Sequence, residues 1–447
     1  MTSVDQVVLA RALFGTSLGF HIIFASLGVG IPLMIVIAEI ASIITKNKDY
    51  HIMAARWTKA FAVLLGVAIP SGTIVGVQLA LLWPGFMEIV GQVISLPFQI
   101  EIYAFFLEAL FMSIYVYAAD RLSNIARLIS VILVAFGASA SAVLITDASA
   151  WMNTPAGFRL ENGQVVDVDP WAAVFNPSFF TAATHVLLSA YATGAFAIGA
   201  VAAYKLLRNQ ASKLEKAFHQ KALTLALIVG FLASFLTALN GHEAAQELHE
   251  YQPLKLAAAE GLFETMDYAP LAIGGFVDPE TEEVKYGIEI PYMLSWLAEG
   301  RFDAEVKGLN EFPREYWPPA YTHTLFNLMV GIGSLLIVIS AIGLFMFFFM
   351  KKPFPKWMLW LFVLCGPLAM VGIETGWIFS CSGRQPWTIY FMQTTDEAAT
   401  TATGLGLVMV GFVSLYIVLG IAVILILLSF FKRRPLLKDL STKGEIQ

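Results

Sequence analysis

Nine stretches of about twenty or more mostly apolar residues run along this chain, separated by polar segments. They cover 15–44, 59–82, 98–119, 126–148, 177–205, 220–240, 321–350, 357–380 and 401–431. That length is what an α-helix needs to cross the hydrocarbon core of a bilayer. Several stretches exceed it, which calls for tilt or for helix continuing beyond the lipid. The pattern predicts an all-α, polytopic membrane protein with nine transmembrane helices. Gly and Pro punctuate the connections, as at Trp83-Pro84-Gly85 and Asn176-Pro177.

The polar segments alternate in charge. Lys46, Lys48, Arg56 and Lys59 follow the first stretch, and Arg121 and Arg127 the third. Lys205, Arg208, Lys213, Lys216 and Lys221 follow the fifth; Lys351, Lys352 and Lys356 follow the seventh. Lys432, Arg433, Arg434 and Lys438 form a basic tail. The intervening segments are neutral or acidic. The positive-inside rule then places the N-terminus outside and the C-terminus inside, as an odd number of spans requires.

Composition agrees. Hydrophobic residues make up 58% of the 447 and charged residues 13%, about half the charged share of a soluble protein. A soluble globule this poor in charge could not cover its surface. A net charge of −6 gives no reason to expect nucleic acid as a partner. The two cysteines, Cys365 and Cys381, lie in or beside apolar stretches and form no disulfide framework.

Three regions follow: 1–240 with spans 1–6, an outer segment 241–320, and 321–447 with spans 7–9 and the tail. The outer segment holds 16 of the 33 acidic residues and only five Lys or Arg. A connection this long in a compact protein is usually functional or carries its own structure.

Ionisable residues inside spans are costly and are functional candidates by default. Span 1 has His21, span 3 Glu101 and Glu108, span 5 His185 and span 8 Glu374; span 7 has His323 at its start, then Met329. Given the topology, His21, Glu101, His185, Met329, Glu374 and Cys381 all fall in the outer half of the membrane. Taken singly, each has a plain reading: a lone buried His is often a packing residue, and Met fills apolar gaps. Their common depth on five helices favours a redox or metal centre. Glu108 lies about 10 Å deeper than Glu101 on the same helix face, two turns on, a spacing that suits a proton relay. A His and a Met from different helices could clamp a six-coordinate haem, and an open sixth position would suit oxygen binding. No Cys-x-x-Cys-His is present for covalent haem attachment. At this level a proton-coupled transporter stays open beside a multi-haem redox protein.

Ser382-Gly383-Arg384-Gln385-Pro386-Trp387 resembles the signature of subunit I of the cytochrome bd family of quinol oxidases. Other stretches match in order: Arg11 with His21; Glu101 with Ala104-Phe105-Phe106-Leu107-Glu108; Trp151-Met152-Asn153-Thr154-Pro155-Ala156-Gly157; and Gln252-Pro253-Leu254-Lys255-Leu256-Ala257-Ala258-Ala259-Glu260. The outer segment is short, so the chain looks like the short-loop branch of the family. The resemblance covers nearly the whole chain.

The resemblance implies a role for each matched residue. His185 and Met329 would be axial ligands of a low-spin haem b, and His21 a ligand of one of two high-spin haems. These would be a haem b and either haem d or a third haem b. Glu101 and Glu108 would lie near them on the proton path. Lys255 and Glu260 would serve quinol oxidation, Lys hydrogen-bonding a quinone oxygen and the carboxylate taking a proton. Arg384 would face haem propionates, with Trp387 and Trp377 packing beside the haems. The implied reaction oxidises quinol outside and reduces O2 to water with inner protons, building a proton motive force without pumping. The implied setting is a prokaryotic plasma membrane, with a second integral subunit and room for a small single-span one.

Two positions depart from the family. Where the family carries a haem-ligating Glu, this chain has Cys381. A thiolate ligand, a substitute in Glu374 seven residues back, or no protein ligand are the alternatives. Asn327 replaces an Arg common two residues before the Met ligand, which would lower the low-spin haem's potential. The change at Cys381 keeps a second class in view: a quinol-linked electron carrier or proton-coupled transporter without oxygen reduction.

Overall fold

The structure, a computed structural model, describes residues 3–118, 121–161, 163–208, 212–351 and 353–441. Lys352, among the basic residues above, lies outside them. Among the described residues nine helices are long and apolar enough to cross a membrane. They are α1 (Ser3–Thr45), α2 (Lys48–Leu82), α3 (Ser95–Ala118), α4 (Asn124–Asn153) and α5 (Phe179–Leu207). Then come α6 (Lys213–Tyr251), α7 (Tyr321–Phe345, prolonged by a wider turn over Met346–Met350), α8 (Lys356–Ser382) and α9 (Leu405–Arg433).

The helices outrun the apolar stretches because polar caps start them early. Asn47 caps α2 by accepting from the Asp49 N–H, and Ser123 caps α4 through the Ala126 N–H. At α6, Ser212 and Glu215 form a reciprocal capping box. Lys48, Arg56, Lys59, Lys213, Lys216 and Lys221 are therefore helical rather than loop residues. At its far end α6 continues to Tyr251, past the apolar stretch that ends at 240, so residues 241–251 are helical. The intervening Ala, Glu, Gln and Leu are polar on average yet strong helix formers.

The outer segment is a small structured unit. A short helix, Pro253–Glu260, ends on Gly261 in the left-handed region. Antiparallel pairs follow: Leu271–Ile273 with Ile288–Ile290, and Phe276–Asp278 with Glu283–Lys285, matching Val277 to Val284. Met266–Asp267 pairs with Glu305–Val306, and a helix over Met293–Glu299 packs on α6.

The main apolar core joins α1, α2, α5, α6 and α8 around Phe61, Phe196, Leu223, Leu227 and Phe362. A second cluster, with Leu13, Trp83, Phe86, Trp151, Ala173 and Ile389, closes the end nearer the outer segment. The starts of α1 and α5 both adjoin that cluster, so these two helices run in the same direction. They touch backbone to backbone: a Cβ on Gly30 would lie 2.3 Å from the Ala190 carbonyl oxygen, and one on Gly194 would lie 2.4 Å from the Gly30 carbonyl carbon. Only glycines allow that approach.

At the opposite end a buried ionic lock ties α1, α3 and α4. Arg127 grips the fully buried Glu39 through two nitrogens, at 2.9 and 3.0 Å, and the Tyr115 hydroxyl donates to it over 2.5 Å. Two parallel N–H···O bonds satisfy the carboxylate where water cannot. Nearby, Lys221 meets Asp49 at 2.7 Å, and Arg56 meets Asp439 of the terminal helix Leu436–Ser441 at 2.6 Å.

Candidate functional site

The two span histidines share one arrangement. His21 Nδ1 lies 3.0 Å from the Ser71 hydroxyl, whose proton is committed to the Val67 and Ala68 carbonyls. His185 Nδ1 lies 3.0 Å from Asn240 Oδ1. Asn240 Oδ1 only accepts, so His185 donates its Nδ1–H and Nε2 keeps its lone pair; with the Ser71 proton turned to the Val67 or Ala68 carbonyl, His21 adopts the same arrangement. A polar partner that fixes the tautomer and aims the other nitrogen is the usual companion of a metal-ligating histidine. Gly72 lets the His21 ring lie on the α2 backbone, since a Cβ there would meet the ring at 2.9 Å.

His21 precedes Gly30 by nine residues, and His185 precedes Gly194 by nine. Nine residues are about 13.5 Å and two and a half turns. Both imidazoles therefore stand at one level, on opposite sides of the α1–α5 contact.

Met329 on α7 packs its sulfur against α8, where a Cβ on Gly376 would lie 2.9 Å from it. Glu374, two residues earlier, puts Oε2 3.4 Å from a Cβ built on Gly19 of α1, and its buried Oε1 has no partner among the described residues. Trp377 joins the cluster of Val29, Ala138, Ala190 and Ile373, where α1, α4, α5 and α8 meet. Glu101 accepts from Ser141 over 2.6 Å, and Glu108 is buried against Gly137, one turn away on the same helix. Both carboxylates thus face α4.

Asn153 binds two further motifs together. Its side-chain oxygen accepts from Arg384 over 3.1 Å, and its carbonyl accepts from Gln252 over 2.9 Å. The turn after α8, the end of α4 and the start of the Pro253–Glu260 helix are thereby fixed to one another. Trp387 is buried against Tyr316 and Phe391, and its indole N–H has no partner.

Lys255 is wholly buried. Its ammonium donates to the Ser380 carbonyl over 3.2 Å and lies 5.3 Å from the centre of the Phe379 ring. Burial, reinforced by the Arg384 charge, pushes its pKa down to about 7. Cys381 stands within interaction range of both Lys255 and Arg384. Glu260 is also buried, neither carboxylate oxygen has a partner among the described residues, and burial pushes its pKa up to about 8. Five residues separate the two, about 140° around the helix. Lys255 turns to α8, whereas Glu260 sits at the other end of the helix beside α7, so the pair does not share one face.

Sequence reading missed Ser71 and Asn240, polar residues inside apolar spans, although that placement was itself a signal. It also noted His323 without a role.

The residues present fit haem. Two histidines offer a free Nε2 at one level, a thioether is lodged between two helices, and unpaired buried polar atoms (Glu374 Oε1, Trp387 Nε1) surround the set. A nine-helix bundle with such donors in one half defines a membrane redox protein. Residues 9–435 match the family model described as cytochrome bd terminal oxidase subunit I, and the chain belongs to that family. Its fold class, its enzyme class (a bd-type quinol oxidase) and its place as a multi-pass bacterial membrane protein are those expected from sequence. It is 61% identical to a Bacillus subtilis (strain 168) protein provisionally named cytochrome bd menaquinol oxidase subunit I, over 98% of this chain and 99% of that one. It is 32% identical to the cytochrome bd ubiquinol oxidase subunit 1 of the same strain, over 96% of this chain and 94% of that one. Its fold superposes on the bd oxidase structure from Geobacillus thermodenitrificans with a TM-score of 0.91, at 44% identity, covering 97% of this chain and 100% of that one.

Proposed function

We propose that this chain is the haem-bearing subunit of a terminal oxidase that takes electrons from quinol at the outer face and passes them to oxygen. The observation that carries it is the matched pair of histidines, each with Nδ1 held and Nε2 free. His185 and Met329 would hold a low-spin haem b, and His21 a high-spin haem. Glu374, turned to α1 at Gly19, and Cys381, beside Lys255 and Arg384, are the two candidates for the remaining high-spin haem, of d or b type. When bound, the haems supply the electron relay and the oxygen chemistry.

The chain's own residues supply proton handling and orientation. Lys255 donates a hydrogen bond to a quinone oxygen, and Glu260 takes a proton from the quinol hydroxyl. Values near 7 and 8 suit proton exchange at ambient pH. Glu101 and Glu108, facing α4 two turns apart, carry protons inward from the opposite side. Arg384, held by Asn153, places a fixed charge for a propionate, with Trp387 and Trp377 beside the rings. With N-terminus outside and C-terminus inside, releasing protons outside and consuming them inside separates charge without a pump. The quinol is menaquinol on the strength of the 61% identical relative's name. Apolar faces left open on α3 and α9, including Tyr103, Phe106, Leu407, Ile417 and Leu425, fit lipid and a second integral subunit.

The test is quinol-dependent oxygen uptake by the purified complex, with reduced-minus-oxidised spectra and extraction to count and type the haems. Three haems with oxygen uptake support the reading. A lone low-spin haem without uptake would place the chain among electron carriers.

A further inference from the structure

His323 is wholly buried at the start of α7, and both of its ring nitrogens meet backbone carbonyl oxygens. Nδ1 lies 2.7 Å from the Ala259 oxygen and Nε2 2.9 Å from the Gly274 oxygen. A carbonyl only accepts, and only the doubly protonated ring has two N–H donors. A neutral ring would set a lone pair against one of these oxygens. Asn327, one turn on, is held with its oxygen accepting the Gly274 N–H over 2.7 Å and its nitrogen donating to the His323 carbonyl over 3.1 Å. Its nitrogen stands 3.3–3.4 Å from the ring, well outside the two carbonyl contacts.

The carbonyls come from two different pieces of the outer segment. Ala259 is in the last turn of the Pro253–Glu260 helix, whose carbonyls have no helical donors and carry the negative end of the dipole. Gly274 begins the turn into the Phe276–Asp278 hairpin, so α7 side chains satisfy both its N–H and its C=O. Glu260 lies between the two residues that touch the ring. A Cβ built on Gly261 would be 3.5 Å from His323 Nδ1, and 2.5 Å from Val284 of the hairpin.

We infer that His323 is a standing imidazolium that fixes the end of the quinol-loop helix, and with it Glu260, between α7 and the hairpin. It is a positioning residue, and this role rests on the reading of Glu260 as the proton acceptor. It also restores near Asn327 the positive charge that an Arg would have brought. The ionisable groups on the elements packed here are Lys255 and Glu260 on the helix; Asp278 paired with Lys285, Glu280 with Arg314, Glu282 and Glu283 on the hairpin; and Glu289 on the strand beside Leu271–Ile273.

The experiment uses the whole complex in lipid vesicles with 15N-labelled histidine. The His323 ring resonances are assigned by their loss in His323→Gln. Two protonated ring nitrogens throughout the pH range of turnover are expected; a neutral ring in that range overturns the inference. In parallel, His323→Gln is expected to oxidise quinol about tenfold more slowly with an unchanged haem spectrum, and His323→Lys to recover rate. An imidazolium with wild-type kinetics in His323→Gln would overturn the positioning role. Wild-type kinetics in Glu260→Gln would instead remove the reading of Glu260, and the positioning role with it, whatever the NMR shows.

Discussion

Arg384 is paired with the side chain of Asn153, 231 residues away in sequence, over 3.1 Å. Both are buried, so the guanidinium's charge is met by an amide dipole and by the Trp387 carbonyl rather than by an acid. Asn153→Leu should leave this cation underpaired, while Gln252 keeps its bond to the main-chain carbonyl of residue 153. Loss of about 3 kcal/mol is expected from an unsatisfied buried charged group. Thermal unfolding of the complex, followed with haem absorbance, would measure it; an unshifted midpoint would show that Arg384 finds its support elsewhere.

The histidine partners give a second prediction. Ser71→Ala and Asn240→Leu keep the ligand atoms but free the rings. Haem affinity should fall about 10–100-fold, the usual effect of losing such a partner. His185→Ala and Met329→Leu should abolish the low-spin spectrum outright. Gly376→Ala, whose methyl would sit 2.9 Å from the Met329 sulfur, should perturb that spectrum alone. Titration of stripped complex with haem would separate these cases, and full affinity in Asn240→Leu would count against His185 as a ligand.

The outer helix gives a pH prediction. Glu260, with its pKa pushed up to about 8, is neutral below that pH and gains the ability to accept a proton as pH rises through it. Lys255, pushed down to about 7, loses its charge as pH rises through that value. Quinol oxidation should therefore rise with pH toward about 8 in the limb set by Glu260, while the cation's contribution to quinone binding fades above about 7. In Glu260→Gln the rising limb should vanish while haem content stays constant. Initial rates against pH, normalised to haem, decide it; a profile identical in the two proteins would refute the assignment.

The lock at the opposite end gives a stability prediction. Arg127→Leu leaves the Glu39 carboxylate buried with only the Tyr115 hydroxyl and His51, whose Nδ1 lies 3.5 Å away. Breaking such a pair costs about 3–5 kcal/mol. Tyr115→Phe should cost about 1.5–3 kcal/mol, the value of a hydrogen bond to a charged group. Unfolding in detergent would rank them, and an Arg127→Leu protein as stable as wild type would mean the lock contributes nothing.

How much of this was legible in sequence differs by level. Nine helices were, because uninterrupted apolar runs leave the backbone one way to satisfy itself in lipid. Their ends were not. The stretch from Gly241 to Tyr251 reads as loop by hydropathy yet propagates α6, because propensity and packing on Met293–Glu299 outweigh polarity. The donors at His21, His185 and Met329 stood out as polar or sulfur-bearing residues in apolar spans. The joint between Asn153, Gln252 and Arg384 did not, since each motif contains its own residue and nothing local says that they meet. His323 was visible as a residue but not as a charge, because its partners are carbonyls, which no side-chain pattern encodes.

The contact of Gly30 with Gly194 has a consequence for electron flow. Tunnelling rates fall exponentially with distance, so a relay across two helices is only as constant as the gap between them. Here the gap is set by peptide against peptide, with no side chain in between to change rotamer. Stretching or thinning of the surrounding bilayer would tilt α1 and α5 together and leave the spacing of His21 and His185 unaltered. With haems held at His21 and His185 as proposed, the two glycines would act as a gauge block for the gap that the electron has to cross.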